Sequence, residues 1–321
     1  VTPVSTPLSP RPLGASGLVV TGLGVGGSPL GGASAVYGHD TSADEGVATV
    51  SRVFDGPITF LDTSNAYSGG DSERRVGEAI DRADGLPVGF VLSTKVDADP
   101  STGVFDGSRV RRSLEESLER LGLDRVPLLH LHDPEEHLAF SDAMGRGGAV
   151  EALVAIKREG LVDAIGIAGG RVEEMRRYVQ TGAFDVLLTH NRMTLVDRSA
   201  RPLIEAATER SMGVINAAPF GGGVLARNPR PDDLYAYGLG TASQVDAARR
   251  MSQVCERYGV SLAAAALQFA VHAPGVDAVL VGASSPQRVD ELVELAGAVI
   301  PDELSNQLED LVPPSSEWIA S

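Results

Sequence analysis

The feature that most constrains this chain is an alternation. Short apolar runs recur eight times along 321 residues, at 18–25, 58–62, 89–95, 126–132, 163–168, 185–190, 213–218 and 277–283. Most are nearly continuous in Val, Ile and Leu, as strands buried on both faces are. Amphipathic helical patterns lie between them. Val76, Ile80 and Ala83 share one face of the pattern starting at Asp71. Val110, Leu114, Leu118 and Leu121 share one face of the next, which stops at Gly122. Eight strand–helix units in this length specify an α/β fold, a (β/α)8 TIM barrel. The competitor is a doubly wound open sheet, which wants a G-x-G-x-x-G turn opening a helix after its first strand. The chain has "GLGVGG" at 22–27, but "SPLGGASAVYG" follows it and reads as loop.

Outside the repeat, "RPLGASGLVVTG" reads as an N-terminal β-hairpin closing the barrel floor. "VSLAAAALQFAVHA" reads as an Ala-rich helix following that of the seventh unit, extra C-terminal helices are expected, and 226–243 reads as a long loop placed as a lid. Residues 1–321 are expected to form one barrel domain, with 1–10 as a flexible leader. The balance of 43% hydrophobic and 22% charged residues is that of a soluble globular protein. A net charge of −16 without a basic run makes nucleic acid and anionic membrane poor partners. No apolar run reaches the ~18–20 residues needed to span a bilayer, and the leader lacks the apolar core of a secretory signal. Cys255 is the only cysteine, which excludes an intrachain disulfide and a cysteine metal cluster. These features together lead us to expect a cytoplasmic protein. The oligomeric state stays open.

In such barrels chemistry sits where strands end and helices begin. Polar residues at those ends are Asp62 with Tyr67 in the following loop, then Lys95, then His130, His132 and Asp133, then His190 and Asn191. Singly, each has a plain structural use: an acid caps a turn, a lysine reaches solvent, a histidine hydrogen-bonds in the core. Together, an acid, a phenol, an amine and an imidazole project from adjacent strands into one mouth. A free phenol with pKa near ~10 is a weak acid for protonating an alkoxide. A neighbouring ammonium lowers that value, an acid holds the ammonium, and a histidine orients a carbonyl oxygen. Asp62, Tyr67, Lys95 and His132 thus form a proton relay for carbonyl/alcohol interconversion, with no metal. Such a relay needs a hydride partner, which a nicotinamide supplies and no side chain does. The Gly-rich run from Pro219 to Ala226 and the helix opening at Ser285–Pro286, with Arg288 in its first turn, suit its phosphates.

At this point the residues resemble a known family. "FLDTSNAYSGGDSERRVGEAI", "VLSTKV" and "LLHLHDPE" resemble the early signature of the aldo-keto reductases, and "GVINAAPFGGGVLA" and "VLVGASSPQRVDEL" their late cofactor-binding segments. Within that family the chain is most similar to bacterial aldose dehydrogenases. The resemblance implies Tyr67 as general acid/base, Lys95 and Asp62 as its tuners, and His132 as the group orienting the substrate carbonyl. It implies NADP or NAD as cofactor, a small carbonyl or sugar substrate, and no metal. Its cofactor set would be Asn191, Pro219, Phe220, Gly221, Gly222, Leu225, Gly282, Ala283, Ser284, Arg288 and Glu291.

This sequence also departs from the pattern. Ala168 and Gly169 stand where many members hold the carboxamide with Ser–Asn. Ala217 stands where an aromatic ring is usual, leaving Phe220 as an offset substitute. Gly282 replaces an expected basic residue and Ala283 a serine. Two other readings stay open: a metal-dependent barrel hydrolase using His130, His132 and His190, and a non-catalytic nicotinamide-binding scaffold. Tyr235, Tyr237 and Trp318 are the candidates for shaping a substrate pocket.

Overall fold

A computed structural model describes residues 6–32 and 40–320. Two short strands, β1 (Pro10–Pro12) and β2 (Val19–Thr21), pair antiparallel. Eight more close a parallel barrel: β3 (Leu23–Gly26), β4 (Phe60–Asp62), β5 (Val91–Val96), β6 (Val126–His132), β7 (Val162–Gly169), β8 (Val186–His190), β9 (Gly213–Ala217) and β10 (Ala278–Gly282). Strand β10 joins β9 to β3 and completes the ring. The expected (β/α)8 barrel with its N-terminal hairpin is therefore present.

Helices α1 (Ala43–Phe54), α2 (Asp71–Arg82), α3 (Gly107–Leu121), α4 (Ala149–Arg158), α5 (Val172–Gln180) and α6 (Arg201–Thr208) each connect successive barrel strands. The crossover from β9 to β10 holds two, α7 (Ala242–Arg257) and the Ala-rich α8 (Leu262–Val271). After β10 come α9 (Pro286–Ala296) and the added α10 (Asp302–Glu309). Helix α3 ends at Gly122, whose φ of 66° is the left-handed stop expected there.

The first apolar run does not form one strand. It breaks at Gly22, its first half joining the hairpin and its second entering the barrel. The reading of "SPLGGASAVYG" as loop falls partly on residues 33–39, outside those described; Ser28–Gly31 form one 3-10 turn. The leader expected over 1–10 falls partly on residues 1–5, also outside them. Thr6 is exposed, Pro7 is buried, and Leu23 N donates to Pro7 O at 2.8 Å.

Strand parity decides what each side chain meets. Leu61, Leu92, Leu129, Ile165, Leu187 and Val214 face outward into the helix layer. Phe60, Leu128, Val186 and Ile215 face inward and pack on Leu13 and Val20 of the hairpin. The hairpin thus seals the N-terminal end of the barrel with apolar side chains. At the strands' C-terminal ends the inward positions of β4, β5, β6 and β8 are polar, Asp62, Lys95, His132 and His190, those of β7 and β9 are Ala168 and Ala217, and a cavity opens there. No helix among the described residues is long and apolar enough to cross a membrane.

Candidate active site

The strands end in a cavity of about 540 Å³ lined by Asp62, Tyr67, Lys95 and His132. Register brings three of these together. Asp62 pairs with Ser93 across β4 and β5, Lys95 with His130 across β5 and β6, and His132 with Ala168 across β6 and β7. Asp62, Lys95 and His132 then share the inward parity. Lys95 does not reach solvent: it is 1% exposed. Its Nζ donates to Asp62 Oδ2 at 2.5 Å, to Thr63 O at 2.7 Å and to Tyr67 Oη at 3.2 Å. Three acceptors satisfy the three protons of a buried ammonium, which would otherwise be costly to hold. Asp62 Oδ1 accepts from Ser93 Oγ at 2.7 Å.

Tyr67 stands on the loop from β4 to α2, which reverses through Ser68, Gly69 and Gly70 at φ 51°, 64° and 90°. At Gly70 the requirement is double, because a Cβ would also lie 2.5 Å from the Arg120 guanidinium. Asp71 or Ser72 would be the natural cap for α2, yet neither caps it; the N-cap is Gly70, with no side-chain bond. Ser72 turns inward instead, donating to Gly27 O at 2.8 Å with Thr63 Oγ1 at the same distance. That ties the Tyr67 loop to the end of β3. From behind, Arg109 donates to Asn65 Oδ1 and to Asp97 O, and Arg120 to Asn65 O.

Sequence reasoning missed Asp97, although it lies two residues beyond Lys95 with the same parity. Its Oδ1 is 2.6 Å from His132 Nδ1. Its Oδ2 accepts from Ser64 Oγ at 2.6 Å and from Ala66 N at 3.0 Å. A carboxylate only accepts, so His132 presents Nδ1–H to it and turns Nε2 to the cavity. Burial pushes the imidazole pKa down, but the charges of Asp97 and Asp133 and the Asp97 hydrogen bond outweigh it, and the pKa is raised. Burial likewise pushes Asp97 up, and the His132 charge with the donated bonds holds it below the usual value. The Tyr67 and His132 rings meet edge to face, their centroids 5.8 Å apart.

His130 occupies the barrel interior with 0% exposure, and its ring fills the space that Gly166 leaves. Burial, then the charges of Lys95 and His132, push its pKa well down, so it is a neutral ring beside the ammonium. His130, His132 and His190 do not converge: among the described residues no three His, Cys, Asp or Glu side chains are grouped to hold a metal ion.

Of the expected cofactor residues, Asn191, Pro219, Phe220, Gly222, Gly282, Ser284 and Arg288 line the cavity. Gly221, Leu225, Ala283 and Glu291 do not; Leu225 and Ala283 are buried behind the wall. Asn191 adopts φ 60°, its Nδ2 meets His190 Nδ1 at 3.1 Å, and its buried Oδ1 has no hydrogen-bond partner among the described residues. An orphaned amide oxygen facing a cavity suits a carboxamide donor. Ser285 caps α9, accepting from Arg288 N at 3.2 Å, and Arg288 pairs with Glu291 at 2.5 Å.

The stretch 226–243 is pinned rather than free along its length. Tyr235 is 1% exposed, with its hydroxyl 2.6 Å from Thr194 Oγ1 and donating to Asn191 O at 3.3 Å. Gly221 makes room for that ring, since a Cβ there would lie 2.0 Å from it. Tyr237, next but one, lines the cavity mouth. Trp318 lines a separate concavity with Arg198 and Glu309.

Comparisons with known proteins bear on the family and the fold. Residues 22–313 match the profile of the Aldo/keto reductase family. D-threo-aldose 1-dehydrogenase of a Pseudomonas species is 32% identical over 93% of this chain and 97% of its own. L-galactose dehydrogenase of Arabidopsis thaliana is 31% identical over 96% of each. The holo form of an aldo-keto reductase from Bacillus halodurans superposes with a TM-score of 0.77, covering 95% of this chain and 96% of its own, and at 23% identity it speaks to fold alone. The chain is a member of the aldo/keto reductase family and so an oxidoreductase.

Proposed function

We propose that residues 1–321 act as one barrel domain that interconverts a carbonyl and an alcohol, an aldehyde or the C1 hydroxyl of a sugar, with NAD or NADP. The observation that carries this is Lys95 Nζ, bonded at once to Asp62 and to Tyr67 Oη at the cavity floor. When bound, the nicotinamide supplies or accepts the hydride. Tyr67 gives the proton to the carbonyl oxygen in reduction and takes it from the alcohol in oxidation. The Lys95 ammonium favours the phenolate that this leaves, and Asp62 holds the ammonium in place. His132 donates from Nε2 to the same oxygen when protonated, because Asp97 occupies Nδ1. Asp97 is a positioning residue.

Asn191 would hold the carboxamide, and the run 219–222 with the start of α9 would meet the pyrophosphate. Arg288 is the cation left near the adenosine end, and it is shared with Glu291. Use of NAD alongside NADP follows from that sharing and from Gly282 in place of a base. A cytoplasmic setting belongs to the same reading and rests on the single, buried Cys255. The test is reduced-cofactor absorbance with purified protein, either nicotinamide and a panel of aldoses and aromatic aldehydes. Turnover is expected on at least one aldose, and Tyr67→Phe should abolish it; intact turnover in Tyr67→Phe would remove Tyr67 from its role.

A further inference from the structure

Beside His132 the cavity holds an acid that the relay does not use. Asp133 follows β6 and opens the short helical turn Pro134–His137 at φ 40°, ψ 47°, a left-handed conformation in which Asp and Asn are enriched. Its backbone N donates to Ala168 O at 2.8 Å, so β7 holds the conformation. Its carboxylate lines the cavity. Oδ2 lies 3.6 Å from His132 Nε2 and Oδ1 3.9 Å from His190 Nε2, ion-pair distances too long for hydrogen bonds. Oδ1 is buried and has no hydrogen-bond partner among the described residues. Burial pushes Asp133 up, but the charges of His132 and His190 hold it well below the usual carboxylate range.

A carboxylate accepts and never donates. A ligand that satisfies this one must bring its own donors, and must bring them within a few ångströms of the oxygen His132 contacts. A hydroxyl on the carbon next to the reacting one meets that demand. A second anion does not. The two guanidiniums on the cavity wall offer it no counterweight: Arg227 is clamped by both Asp233 oxygens at 2.7 Å and Arg288 is paired with Glu291 at 2.5 Å.

Resting on the oxidoreductase reading, we infer that Asp133, flanked by His190, is the specificity-determining residue of the site. It selects neutral hydroxylated substrates, above all sugars with a hydroxyl next to the reacting carbon, over plain, deoxygenated or anionic ones. The loss of one hydroxyl leaves a buried acceptor unpaired, which a site built for hydroxyls penalises strongly.

Two measurements test this. The first compares kcat/KM for each six-carbon aldose with its 2-deoxy counterpart, in wild type and in Asp133→Asn. Asn keeps the volume and tolerates the left-handed backbone, so the fold is retained. Wild type should disfavour the deoxy sugar at least tenfold, and Asp133→Asn, whose amide oxygen still accepts but carries no charge, should narrow that ratio roughly threefold or more. An equal loss on both sugars would mean that Asp133 serves only His132, and would overturn the assignment. The second measures binding of 1,5-anhydrohexitols, which keep the ring hydroxyls but have no C1 hydroxyl to oxidise, by calorimetry in the presence of either dinucleotide. Asp133→Asn should weaken binding at least tenfold; unchanged binding overturns the inference, as does wild type that binds none of them. Wild type that binds them through Asp133 yet oxidises no aldose would instead strike the reading of sugar oxidation and leave Asp133 in place.

Discussion

Replacing Asp97 by Asn removes one charge and almost no volume. The direction of every bond around it settles what the amide does. Ala66 N can only donate, and it faces the Oδ2 position at 3.0 Å together with Ser64 Oγ at 2.6 Å. The oxygen of the introduced amide therefore takes that side and its NH2 faces His132 Nδ1. Nδ1 becomes an acceptor, and His132 is held neutral with its proton on Nε2. In wild type the neutral ring has no proton on Nε2, so reduction loses its second donor as pH rises through the raised pKa of His132. In Asp97→Asn that donor persists uncharged, and this limb of the pH profile should vanish. A hydrogen bond to a charged partner contributes about 1.5–3 kcal/mol. Exchanged in the transition state for a neutral one of about 0.5–1.5 kcal/mol, it forfeits about 1–1.5 kcal/mol, which at about 1.36 kcal/mol per tenfold lowers kcat/KM by roughly 5- to 13-fold at a pH where wild-type His132 is charged.

Stability follows the same linkage. The folded pKa of His132 is raised, so its contribution is complete below the unfolded imidazole value and is lost as pH rises through the folded one. That of Asp97 is depressed, so its contribution is present above the unfolded carboxylate value and is lost as pH falls through the folded one. The deficit of Asp97→Asn in urea denaturation should thus be greatest between about pH 4 and 6.5, the ordinary values of the two groups. It should shrink as pH rises further. A variant with the wild-type pH profile, or with a deficit that does not change with pH, would refute the coupling of Asp97 to His132.

Three further outcomes follow from contacts around the site. Lys95→Met strands the buried Asp62 and should cost about 3–5 kcal/mol, most of it recovered in the double variant with Asp62→Asn; denaturant melts that show no recovery would mean the pair is not coupled. Gly166→Ala puts a methyl 2.1 Å from His130 Nδ1 and should cost about 1–3 kcal/mol. Combining it with His130→Ala should relieve that strain, and simple additivity of the two would show that the contact is not the cause. Tyr235→Phe removes the hydroxyl that joins Thr194 to Asn191 O and should cost about 1–2 kcal/mol. Hydrogen exchange should quicken at 234–240 relative to β8 and β9, and unchanged exchange there would show that the hydroxyl is not what pins the stretch.

The sequence by itself determined the barrel, the order of its units and the group of strand ends from which chemistry could arise. Hydrophobic periodicity and parity are local properties, carried by residues a few places apart, so Asp62, Lys95 and His132 could be set in one mouth before any coordinates. Gly122 and Ser285 could be read as helix boundaries for the same reason. Tertiary structure alone decided the rest. Whether the strand-end Asp97 would meet His132 depends on the register of β5 on β6. Whether Ser72 would cap its helix or lock a loop depends on where β3 ends. His130 became a buried neutral ring because β7 presents Gly166 opposite it. Tyr235 became a pin instead of a pocket wall because Gly221 lies beneath its ring. Each of those outcomes is a contact between elements distant in the chain, and the free energy of such contacts is set by packing that no local pattern encodes.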